Sequence, residues 1–343
     1  MSHTPPLPVF LTINTGLWPA QPGWPERALP QSQRDLADAI AADVHGQTSA
    51  GGYGLPYQIG VLNRHHLRAT YFVEALFAAR AGVAPLAHIA GLVRRGGHEV
   101  QLQLHTEWLR EIDAGALTSD LRADWPARHC QYLCQLPLPQ QGALIRKGQS
   151  LLAEAGVPRV QAFRAGNYGG NLDTLRALAA NGIAIDSSYK PCHLSGDWGE
   201  HGIEPPQAIS GVWELPVSTL RGFAGRRRLA RLRACSFAEM THALRSARQA
   251  GWSAFVIVLH SFELIRKHGA GRLATPDRLA ISRFQQLCAY LDTHREQFRT
   301  TLFSELDTGA MAAQASVPAP SELRTRPLDT LQRIGQQAWN RFR

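Results

Sequence analysis

A histidine and a glutamate follow a short strand-like segment near residue 100. The stretch from Gly97 to Trp108 alternates apolar and polar residues, and successive side chains point to opposite faces of a strand. His105 and Glu107 come at the end of this alternation. An imidazole and a carboxylate delivered to one strand end are suited to metal binding or proton transfer at the mouth of an α/β barrel.

Polar residues also follow the other apolar runs of the chain. They are Asn14 and Thr15, Arg164 with Asn167 and Tyr168, Asp186 and Ser187, Glu214, and His260 with Ser261. Parallel α/β folds bind ligands at the carboxyl ends of their strands, so this coincidence predicts a single site. The predicted catalytic residues are His260, Arg164, Asn14 and Asp186. The predicted substrate contacts are Trp18, Tyr168, Asn167 and Trp108.

His260 directly follows the apolar run from Phe255 to Leu259. Burial disfavours the charged form of an imidazole, and a switchable imidazole at a pocket floor suits general acid catalysis. A hydrogen-bonded core histidine is the alternative interpretation. Arg164 is suited to holding a carboxylate or a substrate oxyanion, or to a structural ion pair, and Asp186 is the expected acidic partner of Arg164 or His260.

Strand-like and helix-like segments alternate over about 300 residues, which predicts a parallel, barrel-like α/β sheet. The predicted strands lie near 8–13, 69–73, 100–105, 160–164, 183–188, 213–217 and 254–259. The predicted helices lie near 35–42, 54–62, 85–95, 143–155, 171–181, 236–249 and 278–294. Residues 20–55 form an N-terminal excursion between the first two strands, and no internal repeat is visible.

The carboxyl-terminal segment is predicted to be separate from the barrel. We assign residues 1–310 to the barrel domain, 311–326 to a linker, and 327–343 to a basic amphipathic helix. Such a helix docks on its own domain or on a partner subunit in one interpretation, and contacts a membrane surface in the other.

The composition bounds the class of protein. The 343 residues are 44% hydrophobic and 18% charged, which is enough apolar material for a sizeable core. The net charge of +9 favours acidic partners such as an anionic glycan or a membrane surface. The arginine-rich run 221–233 lacks a nucleic-acid-binding module, which disfavours nucleic acid. Five cysteines without a CxxC motif, no visible signal peptide and no membrane-spanning apolar run predict a cytoplasmic location.

Five segments, in order, resemble motifs of the polysaccharide deacetylase family, also called NodB-type or carbohydrate esterase family 4. They are residues 11–16, 69–73, 97–105, 163–168 and 258–261. The resemblance covers most of the chain, from about Phe10 to Leu264. It implies a distorted (β/α) barrel of about seven parallel strands. It also implies hydrolysis of the N-acetyl amide of a sugar, assisted by a divalent metal such as zinc.

The sequence departs from that family at its central positions. Asn14 stands where the resemblance implies a catalytic aspartate, Thr15 supplies no carboxylate, and Gln103 stands where a histidine is expected. A side-chain amide is no general base near neutral pH and is a poor zinc ligand. His105 and Glu107 remain as candidate metal ligands. We therefore expect a divergent, deacetylase-like hydrolase of acylated amino sugars with weakened or lost activity. A catalytically silent glycan- or protein-binding member is the alternative.

Overall fold

The structure is a computed structural model that describes residues 5–18, 33–112, 130–192, 198, 206–222, 225–268, 274–307, 309 and 322–341. The strands are β1 (Leu7–Thr15), β2 (Gln47–Thr48), β3 (Gly51–Gly52), β4 (Thr70–Glu74), β5 (Glu99–Leu104), β6 (Ala162–Ala165), β7 (Ile185–Asp186), β8 (Gln207–Ile209), β9 (Val212–Glu214), β10 (Thr219–Arg221), β11 (Arg227–Leu229), β12 (Phe255–His260), β13 (Ile265–Arg266), β14 (Thr275–Pro276) and β15 (Phe298–Thr300). The helices are α1 (Gln33–Asp43), α2 (Leu55–Arg64), α3 (Ala78–Ala81), α4 (Val83–Arg95), α5 (Leu138–Glu154), α6 (Leu172–Ala180), α7 (Phe237–Gln249), α8 (Arg278–Thr293) and α9 (Pro327–Arg341).

One curled sheet organises the molecule, with the strand order β12-β1-β4-β5-β6-β7-β9-β8. The strands from β12 through β9 pair in parallel, while β8 is antiparallel to β9. The short strand β15 pairs in parallel with the start of β1. Parallel strands need crossover connections, and helices supply several of them. This arrangement confirms the predicted distorted (β/α) barrel of about seven parallel strands.

The barrel closes irregularly at the outer edge of β12. The Val256 amide donates to the Ser218 hydroxyl at 2.9 Å, and the Val258 amide donates to the Ala230 carbonyl at 3.0 Å. Residues around 218 and 230 therefore cover the strand edge opposite β1. This irregular closure satisfies backbone groups that a further strand would otherwise pair.

Two apolar clusters lie on the two faces of the sheet. The smaller one fills the barrel interior and contains Phe10, Phe72, Ala162, Ile185, Trp213, Leu215, Ala254, Val256 and Phe303. The larger one lies between the sheet and the helices, where Val100, Leu102 and Leu104 of β5 point. The predicted alternation along β5 is thus confirmed, because side chains two residues apart share a face.

Helix ends follow the capping rules. The hydroxyl of Ser236 accepts from the amide of Glu239, whose carboxylate accepts in turn from the amide of Ser236, and this capping box begins α7. The side chain of Asn171 caps α6 by accepting from the amide of Thr174, and Asp277 caps α8 through the amide of Ala280. These caps fix the residues at which the three helices begin after their preceding loops.

The tail helix α9 lies against α7, and Leu323 just before it is buried. Within the predicted linker, residues 311–321 lie outside the described residues, and Arg324 bridges to Arg221 of β10. The described part of the chain contains no helix that is both long and apolar enough to span a bilayer. None of the five cysteines, all of which lie in the described residues, forms a disulfide.

Candidate functional site at the carboxyl end of the barrel

Side chains from four strand ends meet at the carboxyl end of the barrel. Asn14 lies next to His260 because β1 and β12 pair in register at these two residues. Arg164 lies opposite Gln103 in the pairing of β5 with β6. His105 follows β5 directly. The sheet register therefore brings together the strand ends that the sequence pattern selected.

Arg164 is fully buried and anchors the floor of the site. Its Nη1 donates to Asn14 Oδ1 at 3.0 Å and to Thr12 Oγ1 at 2.9 Å. Its Nε and Nη2 donate to the carbonyl and hydroxyl oxygens of Ser187 at 3.0 and 2.9 Å. The guanidinium also lies 4.2 Å over the ring of Phe72. Its direct partners are neutral, so Arg164 holds an amide where the resemblance implied a carboxylate.

Three side chains form what we call the His260 corner: His260, Glu263 and Arg231. Glu263 is fully buried and accepts from Arg231, Nε lying 3.0 Å from both carboxylate oxygens and Nη2 2.7 Å from Oε2. The imidazole Nδ1 of His260 lies 3.5 Å from Glu263 Oε2. Gln58 fixes the backbone by donating to the carbonyl of His260 at 2.8 Å. The carboxylate of Glu263 is fully paired with Arg231, and the backbone of His260 is fixed by Gln58, while Nδ1 of His260 approaches Glu263 without a hydrogen bond among the described residues.

The electrostatics of this corner keep His260 neutral near pH 7. Burial, helped by the Arg231 cation and opposed by Glu263, lowers the pKa of His260 to about 4. Burial alone would raise the pKa of Glu263, but Arg231 and His260 hold it well below its ordinary value. With Nδ1 facing the carboxylate, the neutral ring presents Nε2 to Asn14 Nδ2 at 3.5 Å. His260 can therefore accept a proton through Nε2, the ring nitrogen that faces the site.

Three other side chains form what we call the His105 corner: Gln103, His105 and Glu107. All three are buried. His105 Nδ1 lies 3.4 Å from Glu107 Oε2 in poor hydrogen-bond geometry. Burial would raise the pKa of Glu107, but His105 and Asn167 outweigh it and hold the pKa below its ordinary value. Glu107 is thus an anion beside an imidazole.

Several buried polar atoms of this corner lack a hydrogen-bond partner among the described residues. They are both ring nitrogens of His105, Oε2 of Glu107, Oε1 of Gln103 and, from β1, Oγ1 of Thr15. A buried polar atom left unpaired costs about 1–3 kcal/mol, so such clusters call for explanation. A polar ligand that satisfies these atoms is one physical reason for the cluster to persist.

The loop after β6 shapes the same corner. Asn167 and Tyr168 both have positive φ, at 53° and 60°, a conformation that is uncommon outside glycine and concentrates at functional sites. Asn167 Nδ2 donates to Glu107 Oε1 at 2.5 Å. Gly166 is needed for close approach, because a Cβ there would lie 2.7 Å from Cγ of His105. The loop therefore presses on His105 and orients Glu107.

Aromatic side chains join the two corners. The ring of Trp18 lies 4.9 Å from that of His105 and 5.7 Å from that of His260. Tyr168 lies 5.8 Å from the Arg164 guanidinium, and burial raises the pKa of its phenol. Both predicted contacts, Trp18 and Tyr168, are thus placed between the predicted polar residues.

Two predicted site residues make other contacts than expected. Asp186 makes no direct hydrogen bond to Arg164 or His260 among the described residues; its Oδ1 accepts from Ser188, and its neighbour is Glu214. Burial raises the pKa of both carboxyls, that of Glu214 strongly, so the two share a proton. Of the two expected partners of Asp186, His260 faces Glu263 instead. Arg164 lies close enough for its charge to lower the pKa of Asp186 against the larger effect of burial, without a direct hydrogen bond. Trp108 is 1% exposed and packs in the core near Phe77, a placement that does not favour substrate contact.

Two buried glutamates at the site were missed by the sequence interpretation. Glu263 is one, and its signal was its spacing of three residues after His260. Glu74 is the other: its carboxylate accepts from the amides of His105 and Leu76 at 2.5 and 2.6 Å. Burial raises the pKa of Glu74 well above its ordinary value. Glu74 therefore fixes the backbone from which His105 projects.

The arginine-rich run does not form a free basic patch. Arg221 and Arg227 pair with Glu322, Arg228 pairs with Glu239, and Arg233 pairs with Asp277. Arg231 belongs to the His260 corner. Each of these arginines therefore has a carboxylate neighbour.

The donor set does not fit the metal that the family resemblance implies. A catalytic zinc site normally has three protein ligands drawn from histidine, carboxylate or cysteine. The His105 corner offers one imidazole and one carboxylate, and the Asn14 oxygen is already bonded to Arg164. Within the described ranges, no group of three or more His, Cys, Asp or Glu side chains could hold a metal ion. The predicted pair His105 and Glu107 has no third ligand among the described residues.

Comparison with known proteins identifies the fold. No protein-family profile matches the chain, and no curated protein matches it. A "putative polysaccharide deacetylase" from Mycobacterium smegmatis matches with a TM-score of 0.52 and 16% identity, over 95% of this chain and 99% of that one. A family 4 carbohydrate esterase from Streptomyces lividans, in complex with acetate, matches with a TM-score of 0.39 and 11% identity over 87% and 93% of the two chains. A CE4 family pseudoenzyme from Bacillus anthracis matches with a TM-score of 0.39 and 9% identity over 89% and 67%. The chain has the fold of the Mycobacterium smegmatis protein, the distorted barrel that the sequence resemblance implied.

Proposed function

We propose that this chain is a divergent member of the polysaccharide deacetylase family that binds an acetylated amino-sugar glycan and has lost metal-dependent deacetylation. The observation that carries the proposal is the 3.0 Å hydrogen bond from Arg164 to the amide oxygen of Asn14. The arginine is retained, buried and fully oriented, yet its partner cannot accept a proton from water.

The loss of metal chemistry follows from the donor set. Asn14 and Gln103 are amides, and Thr15 is a hydroxyl. These groups keep the hydrogen bonding of a polar site but lack the charge and basicity of zinc ligands. His105 and Glu107 alone bind a zinc ion too weakly to keep it resident.

Retention of glycan binding is supported by the buried polar atoms of the His105 corner. Sugar hydroxyls and an N-acetyl amide both donate and accept hydrogen bonds, so they match the unsatisfied atoms of His105 and Glu107. Trp18 supplies an aromatic wall between the two corners. We also propose a cytoplasmic location, which five cysteines without a disulfide support.

A metal-independent hydrolase is the second candidate, favoured by the His260 corner. His260 is neutral, backed by Glu263, and presents Nε2 to the site. In that arrangement His260 would take a proton from water as it attacks the acetyl carbonyl, and would return a proton to the leaving amine. The products would be acetate and the free amino sugar.

The deciding experiment compares the wild-type protein with a restored variant carrying Asn14→Asp, Thr15→Asp and Gln103→His. We expect the wild type to bind N-acetylglucosamine oligomers in calorimetry, to hold well below one equivalent of zinc by elemental mass spectrometry, and to release no acetate. The restored variant should hold near one equivalent of zinc and release acetate. Zinc near one equivalent in the wild type, lost on His105→Ala, would contradict the proposed loss of metal binding.

The second candidate has its own readout. Acetate release by chelator-treated wild type, abolished by His260→Ala without loss of oligomer binding, would establish the metal-independent hydrolase instead. Absence of both oligomer binding and acetate release would exclude both functions for this class of glycan. A Gln332→Ala variant, changed at an exposed position of the tail helix, controls for effects of substitution and purification alone.

A further inference from the structure

The tail helix α9 is docked on the barrel by its polar face. Thr330 and Arg333 contact the buried carboxylate of Glu239, at 3.0 and 3.3 Å. Further along the helix, Gln336, Gln337 and Asn340 bond to Arg283, the carbonyl of Arg233 and Asp277. These residues recur every three or four positions and so share one side of the helix. Polar contacts over three turns fix the rotation of α9 about its axis.

The opposite side of α9 is apolar and exposed. Leu328, Leu331, Ile334 and Trp339 are 77%, 64%, 51% and 64% exposed. They follow helical spacing and lie about half a turn away from the docked residues. We call this set the apolar face. A surface helix normally buries such a stripe in the core, so a helix held with it outward indicates an interaction surface.

Basic residues lie near both ends of the apolar face, with Asp329 among those at the amino end. Arg324 and Arg326 are exposed just before the helix, and Arg245 is exposed nearby on α7, close to His242 and Arg326. At the other end, Arg278 and Trp339 line the same surface cavity. The whole chain carries a net charge of +9. The surface around the helix is therefore complementary to an anionic partner.

We propose that the apolar face of α9 binds the surface of an anionic lipid bilayer. Leucine, isoleucine and tryptophan side chains enter the boundary between headgroups and acyl chains, while the flanking arginines contact lipid phosphates. The polar face stays bonded to the barrel, so binding requires no rearrangement of the described contacts. The proposal is independent of the glycan site.

A second copy of the chain fits this surface less well. Four side chains on one helix offer less than the roughly 800 Å² per partner that a stable protein complex buries. Two copies would also bring two highly positive surfaces together, which is unfavourable. An anionic bilayer has neither disadvantage.

The position of α9 on the barrel sets the orientation at a bilayer. Leu323 shares a cavity with Ala254 at the amino end of β12, and Trp339 shares one with Thr275 and Pro276 of the hairpin beyond its carboxyl end. The helix therefore runs along the barrel wall. A bilayer bound to it would face the flank of the barrel, leaving the carboxyl end open beside the membrane.

Co-sedimentation of the full-length protein with vesicles tests the proposal. We expect binding to phosphatidylglycerol–phosphatidylcholine vesicles that weakens with salt, and much weaker binding to phosphatidylcholine alone. The charge-neutral variant Leu331→Gln with Ile334→Gln should lose at least about tenfold in affinity, because two apolar side chains no longer insert. The matched control, Ala179→Gln with Ala180→Gln on the exposed side of α6, should bind like the wild type.

The charge contribution is tested separately with Arg324→Gln and Arg326→Gln. Each should weaken binding to anionic vesicles about fivefold, since a basic residue near an anionic surface contributes on that scale. Failure of the wild type to bind anionic vesicles would overturn the proposal. Binding that survives the Leu331 and Ile334 substitutions would also overturn it. A concentration-dependent dimer abolished by those substitutions, without vesicle binding, would assign the apolar face to a second copy instead.

Discussion

The two corners of the candidate site differ in how completely their polar groups are satisfied. In the His260 corner, Glu263 receives contacts from both Arg231 nitrogens and from His260. In the His105 corner, both ring nitrogens of His105 and one oxygen of Glu107 lack partners among the described residues. Both pairs are a histidine with a nearby glutamate, and both are buried. Nδ1 of His260 lacks a hydrogen-bond partner among the described residues as well, so the difference lies in the carboxylates and in Nε2. Both oxygens of Glu263 are paired with Arg231 and Nε2 of His260 contacts Asn14, whereas one oxygen of Glu107 and Nε2 of His105 are left without a partner in the described part of the chain.

The first prediction concerns the His260 corner and removes the cation paired with Glu263. Arg231→Met should destabilise the fold by about 3–5 kcal/mol, because it leaves the buried Glu263 carboxylate without its cation. Chemical unfolding at pH 7 measures the loss. The double variant Arg231→Met with Glu263→Met is the control, and it should recover most of the stability. A loss below about 1 kcal/mol in the single variant would show that water solvates Glu263 and that the corner is not preorganised.

The second prediction concerns acid sensitivity. The pKa of His260 is about 4 in the folded protein, against about 6.5 unfolded. Between these values the unfolded chain binds more protons, so stability is lost as the pH falls from about 6.5 to about 4, by up to about 3 kcal/mol from this group. His260→Gln should flatten that part of the stability profile, measured by urea unfolding at a series of pH values.

The profile of the His260→Gln variant should be flattened rather than flat. Burial also lowers the pKa of His98 to about 4, so the unfolded form of His98 takes up a proton over the same range. His98→Gln is therefore the matched variant, expected to remove a further part of the slope, while His45 and His242, whose pKa values burial also lowers, keep some of it. If His260→Gln left the slope between pH 6.5 and 4 unchanged, the imidazole would be charged in the native protein and no proton acceptor.

The third prediction concerns the His105 corner and changes Gly166 in the loop after β6. Gly166→Ala places a Cβ 2.7 Å from both Cγ of His105 and the carbonyl oxygen of Leu104, so the ring or backbone must move. We expect a loss of about 1–3 kcal/mol in thermal unfolding, together with weaker glycan binding. Gly60→Ala on α2 is the control, because a Cβ there contacts nothing and alanine favours a helix. An unchanged Gly166→Ala protein would mean that His105 is loosely held.

The sequence predicted the scaffold of the site better than its contacts. Alternation along β5 and the apolar run of β12 located His105 and His260, because burial of a sheet face imposes period two. Asp186 acts on Arg164, one of its two expected partners, only through space. Its neighbour Glu214 was not foreseen, because that depends on which strand lies beside β7, and the sheet places β9 there. Glu263 was missed, since a glutamate in a turn is ordinary until its burial is known.

The tail helix shows a different limit of the sequence. Its amphipathic pattern was clear and the helix is present at Pro327–Arg341. The pattern did not reveal which face meets the barrel. That depends on Glu239, Asp277 and Arg283, whose side chains converge only after α7 and α8 have packed. Periodicity identifies two faces of a helix, while the partner decides which face is buried.

The last prediction compares the two corner glutamates directly. Glu107→Gln should change stability by at most about 1 kcal/mol, because the Oε1 contact with Asn167 can persist and Oε2 loses no hydrogen bond. Glu263→Gln removes the charge opposite Arg231 and should cost at least about 2 kcal/mol. Urea unfolding of both variants at pH 7 measures the two losses in the free energy of unfolding. Equal losses would mean that Glu107 is as firmly engaged as Glu263. The His105 corner would then be a complete structural network, and its buried atoms would no longer support a ligand.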